Sequence, residues 1–198
     1  MFVTFEGLDG SGKTTQQRLV AELLRADGLE VVETREPGGT ELGERVRELV
    51  LHAGDVAPWA EAALFAASRA QHVAEVIRPA LDRGAAVLCD RYVDSSLAYQ
   101  GIARGLGLER VLELNLTAVD GLLPERTFLL LVAATTAAGR MSADRDRIER
   151  ESLTFQERVD AAYRELAELY PERIVALDGA PPPEVLAERI HGALRNGS

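Results

Sequence analysis

The chain has 198 residues, with 32 acidic against 22 basic side chains and a formal net charge of −10, which argues against a protein that grips long nucleic acid through an extended basic face. Its length suits one packed domain over residues 1–198, and no Pro-, Gly- or Ser-rich linker divides it. A single cysteine, Cys89, excludes an internal disulfide framework, no apolar run approaches bilayer length, and a strand that begins at once leaves no room for a signal peptide, so a cytoplasmic protein without membrane contact is expected.

Met1-Phe2-Val3-Thr4-Phe5 reads as a short buried strand. Residues 14–26 have helical periodicity, with Leu19, Val20, Leu23 and Leu24 inward and Asp27-Gly28 as the stop. A second strand is expected over 29–34 and helices over 40–52 and 58–83, after which Gly84 breaks to the apolar strand Ala85-Ala86-Val87-Leu88-Cys89. A polar segment follows over 93–107, then a helix over 108–117 and the apolar strand Phe128-Leu129-Leu130-Leu131-Val132. The arginine-rich stretch 140–150 leads into a helix over 152–169, a last strand over 173–177, a proline-shaped loop at 181–183 and a last helix to 194.

Five short apolar strands without clean alternation, separated by helices, predict an α/β fold with a parallel sheet covered on both faces. Ligands then belong at the carboxyl ends of the strands. Gly7-Leu8-Asp9-Gly10-Ser11-Gly12-Lys13-Thr14 follows the first strand and opens the first helix, and it matches G-x-x-x-x-G-K-[ST] in the context a P-loop requires. Lys13 is the only lysine; every other Lys or Arg position holds arginine. A compact ammonium suits a phosphate cradle at this one place, while glycines 7, 10 and 12 let successive N–H groups converge on phosphate oxygens and the Thr14 hydroxyl is placed to ligate Mg²⁺. Asp90, at the end of an apolar strand, sits where P-loop enzymes keep the acid that holds Mg²⁺ or its water shell. Phe65 and Arg69 are four residues apart on one helical face. That spacing fits a core aromatic beside a solvated arginine as well as a pair that reads one ring. Cys89 reads as a buried, inert thiol, and His52, His72 and His191 read as ordinary surface or helix residues without metal-ligand spacing.

Asp90-Arg91-Tyr92-Val93-Asp94-Ser95-Ser96-Leu97-Ala98-Tyr99-Gln100-Gly101 is similar to the signature of the thymidylate kinases, which phosphorylate dTMP. Thr34-Arg35-Glu36-Pro37-Gly38-Gly39-Thr40, Leu64-Phe65-Ala66-Ala67-Ser68-Arg69-Ala70-Gln71 and Asp146-Arg147-Ile148-Glu149-Arg150-Glu151 resemble further segments of that family, so the likeness runs nearly end to end. The resemblance implies a three-layer P-loop kinase with a mobile lid near 139–151, MgATP as donor, dTMP as acceptor and a homodimer. It also implies that Arg91 holds the acceptor monophosphate, Phe65 stacks on thymine, Arg69 donates to a thymine carbonyl, and Asp9 meets the 3′-hydroxyl. Tyr99 would lie under the sugar and disfavour ribose, with Glu36, Pro37, Ser96 and Gln100 as further substrate contacts. The P-loop holds no arginine, which resembles the class whose lid donates one; Arg140 and Arg145 are the expected donors, with Arg147 the other candidate. Asp178-Gly179-Ala180-Pro181 would border the donor adenine. Another deoxynucleotide or deoxynucleoside acceptor, or a nucleotide-dependent switch, are the competing readings.

Overall fold

The computed structural model describes residues 1–52, 54–140 and 146–196, with Asn196 described by its backbone alone. Strands β1 (Phe2–Glu6), β2 (Val31–Arg35), β3 (Ala86–Asp90), β4 (Arg126–Leu131) and β5 (Ile174–Asp178) form one sheet in the order β2-β3-β1-β4-β5. All pairings are parallel, with Phe5 opposite Asp90 and Thr4 opposite Thr127. Every residue of β1 is buried because helices cover both faces.

Alternate residues of β1 serve the two layers. Val3 and Phe5 pack with Leu88, Phe128 and Leu130 against Val20, Ala21 and Leu24 of α1 (Lys13–Ala26) and against Leu186, Ala187 and Ile190 of α9 (Pro183–Asn196). Phe2 faces the other way, with Val87, Cys89 and Leu129, toward the larger apolar layer. That layer is built from α2 (Glu41–His52), α3 (Pro58–His72), α4 (Arg78–Asp82), α5 (Val93–Ser96), α6 (Leu108–Ala118), α7 (Ala134–Arg140) and α8 (Leu153–Leu169). Ser152 caps α8, its Oγ accepting from the Phe155 N–H at 3.2 Å.

Three expectations are corrected. The helix expected over 58–83 is present but widens into a π turn at Val73–Ile77 between α3 and α4; Pro79, which has no N–H to give to a carbonyl four residues back, stands two residues beyond it. The polar segment 93–107 is helical as far as Ala103, α5 running into a second π turn at Leu97–Ala103. Its polar residues Asp94, Ser96 and Gln100 are buried, so polarity there marks inward hydrogen bonding and not exposure. Helix α7 was not expected; its Gly and β-branched content hid it. Among the described residues, no helix is long and apolar enough to cross a membrane.

Candidate active site

Three strands deliver the motifs to one edge of the sheet. β1 ends in the P-loop, and Gly7, Gly10 and Gly12 take positive φ values that an L side chain resists. A Cβ on Gly7 would lie 2.5 Å from the Leu130 carbonyl oxygen, so the loop is threaded tightly against β4. Lys13 is buried, its Nζ donating to the carbonyls of Gly7 at 3.2 Å and Leu8 at 2.9 Å and lying 3.7 Å from Asp9. Burial and the Arg91 charge hold its pKa below the ordinary value. The ammonium is thus poised over the loop, where an incoming phosphate would relieve both penalties.

The P-loop lines a cavity of about 750 Å³ together with Asp90, Arg91, Arg140, Gly179 and Pro181. The buried Ser11 Oγ has no hydrogen-bond partner among the described residues, the kind of orphan a ligand satisfies. The segment after β5 therefore shares the P-loop's cavity, as expected. Thr14 Oγ1 donates to Asp90 Oδ2 at 2.6 Å. No group of three or more His, Cys, Asp or Glu side chains poised to hold a metal occurs among the described residues. A hydroxyl and a carboxylate side by side fit Mg²⁺, which takes few protein ligands and keeps water and substrate phosphates as the rest.

β3 ends in Asp90, and Arg91 after it adopts φ 69°, a left-handed conformation that costs a non-glycine residue about 1–2 kcal/mol. Four partners hold it there. Its Nη2 donates to Asp9 Oδ1 at 2.6 Å, its Nη1 to Ser95 Oγ and Tyr163 OH at 3.1 Å each, and its guanidinium lies 5.4 Å from the centre of the Tyr99 ring. Burial raises the Asp9 carboxyl, but Arg91 and Lys13 outweigh it and hold the group at about 2.

Behind Arg91 stands Glu6, fully buried. Its carboxylate accepts from the N–H groups of Tyr92 at 2.8 Å and Ser95 at 3.2 Å, from Ser95 Oγ at 2.6 Å and from Tyr163 OH at 2.7 Å. Burial first, then the nearby Asp94 charge, raises Glu6 to about 7 against the opposing pull of Arg91, Ser95 and Tyr163.

A second cavity, of about 120 Å³, opens beside Arg91 and is lined by Phe65, Arg69, Ser96, Tyr99 and Gln100 with Glu36 and Pro37. The structure therefore brings the expected base, sugar and phosphate contacts together. Phe65 is half-buried at the wall. Arg69, by contrast, is 1% exposed. Its Nε donates to Glu36 Oε2 at 2.6 Å, Nη1 to Ser96 Oγ at 3.1 Å and to Asn115 Oδ1, and Nη2 to the Tyr92 carbonyl at 3.0 Å. Of five guanidinium N–H groups, one on Nη2 has no partner among the described residues and is left for a ligand. The Tyr99 hydroxyl is buried without a hydrogen-bond partner among the described residues.

Several side chains of the site carry no motif signal. His72, expected at the surface or as an ordinary helix residue, is fully buried, its Nδ1 2.9 Å from Glu36 Oε1 and its Nε2 2.6 Å from Thr34 Oγ1; tertiary packing brings the strand to that helical face. Asn115 and Tyr163 come from distant helices. Glu6 alone could have been flagged, as an acid in a strand too apolar to be half-exposed. Arg47 reaches the Pro37 carbonyl at 3.0 Å and borders both cavities. Cys89 is buried, and burial, then the Glu36 charge, pushes its thiol well above the ordinary value, as an inert cysteine requires. Arg140 Nη1 is 3.5 Å from the Gly10 carbonyl, at the P-loop. Arg147 is held by Glu61 and by the Val50 carbonyl at 2.9 Å, and Arg145 lies outside the described residues.

A family model described as thymidylate kinase matches residues 5–190. The thymidylate kinase of Clavibacter sepedonicus is 51% identical over 194 residues, covering 96% of this chain and 92% of that one. The thymidylate kinase of Synechococcus sp. strain JA-3-3Ab is 48% identical over 195 residues, covering 98% and 95%. The crystal structure of thymidylate kinase from Ehrlichia chaffeensis superposes with a TM-score of 0.80 at 34% identity, over 96% of this chain and 97% of that one.

Proposed function

The chain belongs to the thymidylate kinase family, and we propose that it transfers the γ-phosphoryl group of ATP to dTMP, giving dTDP and ADP. The observation that carries this reading is the junction of the two cavities at Arg91 and Asp9, which places an acceptor site against a phosphate cradle. A switch that only hydrolyses a triphosphate has no need of the second cavity.

In this reading the P-loop N–H groups and Lys13 bind the donor phosphates. Arg91 grips the acceptor phosphate with the fork of donors that suits two oxygens at once. Asp9 orients the sugar through its 3′-hydroxyl while restraining Arg91, and Tyr99 closes the floor where a 2′-hydroxyl would sit. Phe65 stacks on the base, and the free Nη2–H of Arg69 donates to a thymine carbonyl. Glu36 and Pro37 shape the wall, with Glu36 acting through Arg69. Arg140 supplies positive charge to the transferred group from the P-loop side, with Arg145 as a second donor in a lid over 139–151. Thr14 and Asp90 would hold Mg²⁺, which when bound neutralises charge on the donor phosphates. Transfer is direct and in line, so no covalent intermediate on the enzyme is needed.

The chain acts as one domain over residues 1–198, in the cytoplasm, as a homodimer. Leu42 and Leu49 of α2, with Trp59 of α3, expose apolar surface that supports the last point; sedimentation as a monomer at micromolar concentration would remove it. The deciding experiment is steady-state transfer from MgATP to dTMP, dUMP, dCMP, dAMP, dGMP, the ribose analogue of dTMP, and thymidine. Preference for dTMP is expected. Transfer to thymidine but not dTMP would mean that Arg91 is misassigned, and no transfer to any acceptor would return the switch reading.

A further inference from the structure

Glu61 lies in the first turn of α3, its side chain 1% exposed, and has no place in the chemistry above. Its Oε1 accepts from Gln100 Nε2 at 2.8 Å and Arg104 Nε at 2.9 Å, and its Oε2 from Arg104 Nη2 at 3.2 Å and Arg147 Nη2 at 2.5 Å. Burial pushes the carboxyl up, but the hydrogen bonds from Arg104, Arg147 and Gln100 prevail and hold it below the ordinary value. It is therefore ionised at neutral pH.

An ionised carboxylate can only accept. Gln100 must then turn its NH₂ toward Glu61, because the alternative amide orientation would set carbonyl oxygen against carboxylate oxygen. The carbonyl Oε1 of Gln100 accepts no hydrogen bond from the protein among the described residues, while Gln100 is part of the wall of the 120 Å³ cavity. What this residue offers a ligand is an acceptor.

We propose that Glu61 is a specificity-determining positioning residue, locking the Gln100 carboxamide so that the acceptor cavity presents an oxygen to the base. That oxygen matches a ring nitrogen that carries hydrogen, as N3 does in thymine and uracil, and opposes one that carries a lone pair, as N3 does in cytosine. The inference rests on the reading of this cavity as the thymine site. A site built to pair with one edge pattern leaves its own polar group unpaired with the other, which is the strong form of discrimination.

The test compares kcat/KM for dTMP and dCMP, with MgATP, in wild type, Glu61→Gln, Gln100→Met and the double variant. In Glu61→Gln a neutral amide can meet Gln100 with either its oxygen or its NH₂, so the lock is released. The dTMP-to-dCMP ratio is expected to fall about tenfold or more, through the KM for dTMP and not that for ATP, with no further fall when Glu61→Gln is added to Gln100→Met. Arg104→Gln keeps the Gln100 contact while removing an ion pair, so it should lower Tm and spare the ratio. If Glu61→Gln keeps the wild-type ratio while Gln100→Met loses it, the lock is refuted and the base reading stands. If Gln100→Met also keeps the ratio, the base reading at Gln100 fails and takes the inference with it. An Arg104→Gln ratio as low as that of Glu61→Gln would reduce the cluster to a structural one. Should Glu61→Gln not fold, Glu61→Asp withdraws the carboxylate by one methylene and carries the same comparison.

Discussion

Replacing Glu6 by glutamine should change how stability depends on pH. Glu6 is fully buried and titrates at about 7 in the folded chain, against an ordinary 4.5 when unfolded. A raised folded value means that the native state holds the proton more firmly than the unfolded chain does. The stabilisation is fully present below about pH 4.5 and is lost as pH rises through 7. The whole effect is about 3 kcal/mol, of which roughly 2–3 kcal/mol falls between pH 5 and pH 8. The substitution removes this titration and adds a cost that does not vary with pH: the amide oxygen can keep the N–H groups of Tyr92 and Ser95, but its NH₂ takes the place of the oxygen that accepts from Ser95 Oγ and Tyr163 OH, at about 1–3 kcal/mol. Urea unfolding of both proteins from pH 5 to pH 8 isolates the effect, since every other group titrates alike in the two and cancels in the difference. The wild type should exceed the variant most at pH 5, and its advantage should shrink by roughly 2–3 kcal/mol at pH 8. A difference that stays level across that range would refute the argument that burial governs Glu6.

Arg69→Ala should raise the KM for dTMP while sparing that for ATP, and should destabilise the fold by about 3–5 kcal/mol because Glu36 loses its guanidinium while buried; equal rises for both nucleotides would undo the base-reading role. Gly10→Ala should weaken ATP binding about tenfold or more by calorimetry, since φ 81° resists a side chain and the new Cβ would meet the backbone oxygen of Ala137; unchanged affinity would remove the P-loop from donor binding. Asp90→Asn should raise the Mg²⁺ concentration needed for half-maximal rate, and a superimposable Mg²⁺ titration would dissociate Asp90 from the metal.

What the sequence disclosed was chemistry held in contiguous residues. The P-loop, Asp90-Arg91 and the alternation of strands with helices are fixed by local backbone demands: glycines at positive φ, one lysine, and an acid at a strand end. Such requirements leave a spelling. The support of those residues is written elsewhere, because hydrogen bonds to buried groups depend on tertiary proximity and tolerate many residue types. Arg91 is legible, yet its conformation depends on Tyr163, which lies 72 residues away, and on Glu6, 85 positions earlier in the chain and reached through Ser95 and Tyr163. Arg69 is legible, yet four of its five donors serve Glu36, Ser96, Asn115 and Tyr92.

Two of the misreadings share one physical cause. Residues 93–107 read only as a polar segment without helix, and His72 as an ordinary surface or helix residue, because polarity is a statistical proxy for solvent. The proxy fails where a polar group is buried to hold another polar group in place, as Asp94 does for Arg173, at 2.5 Å and 2.8 Å, and Glu36 for Arg69 and His72. A binding site for a charged nucleotide needs rigid charges, and rigid charges need buried partners. Several of these buried polar residues, Glu36, Arg69, Ser96 and Gln100 among them, line the smaller cavity, where function demands them.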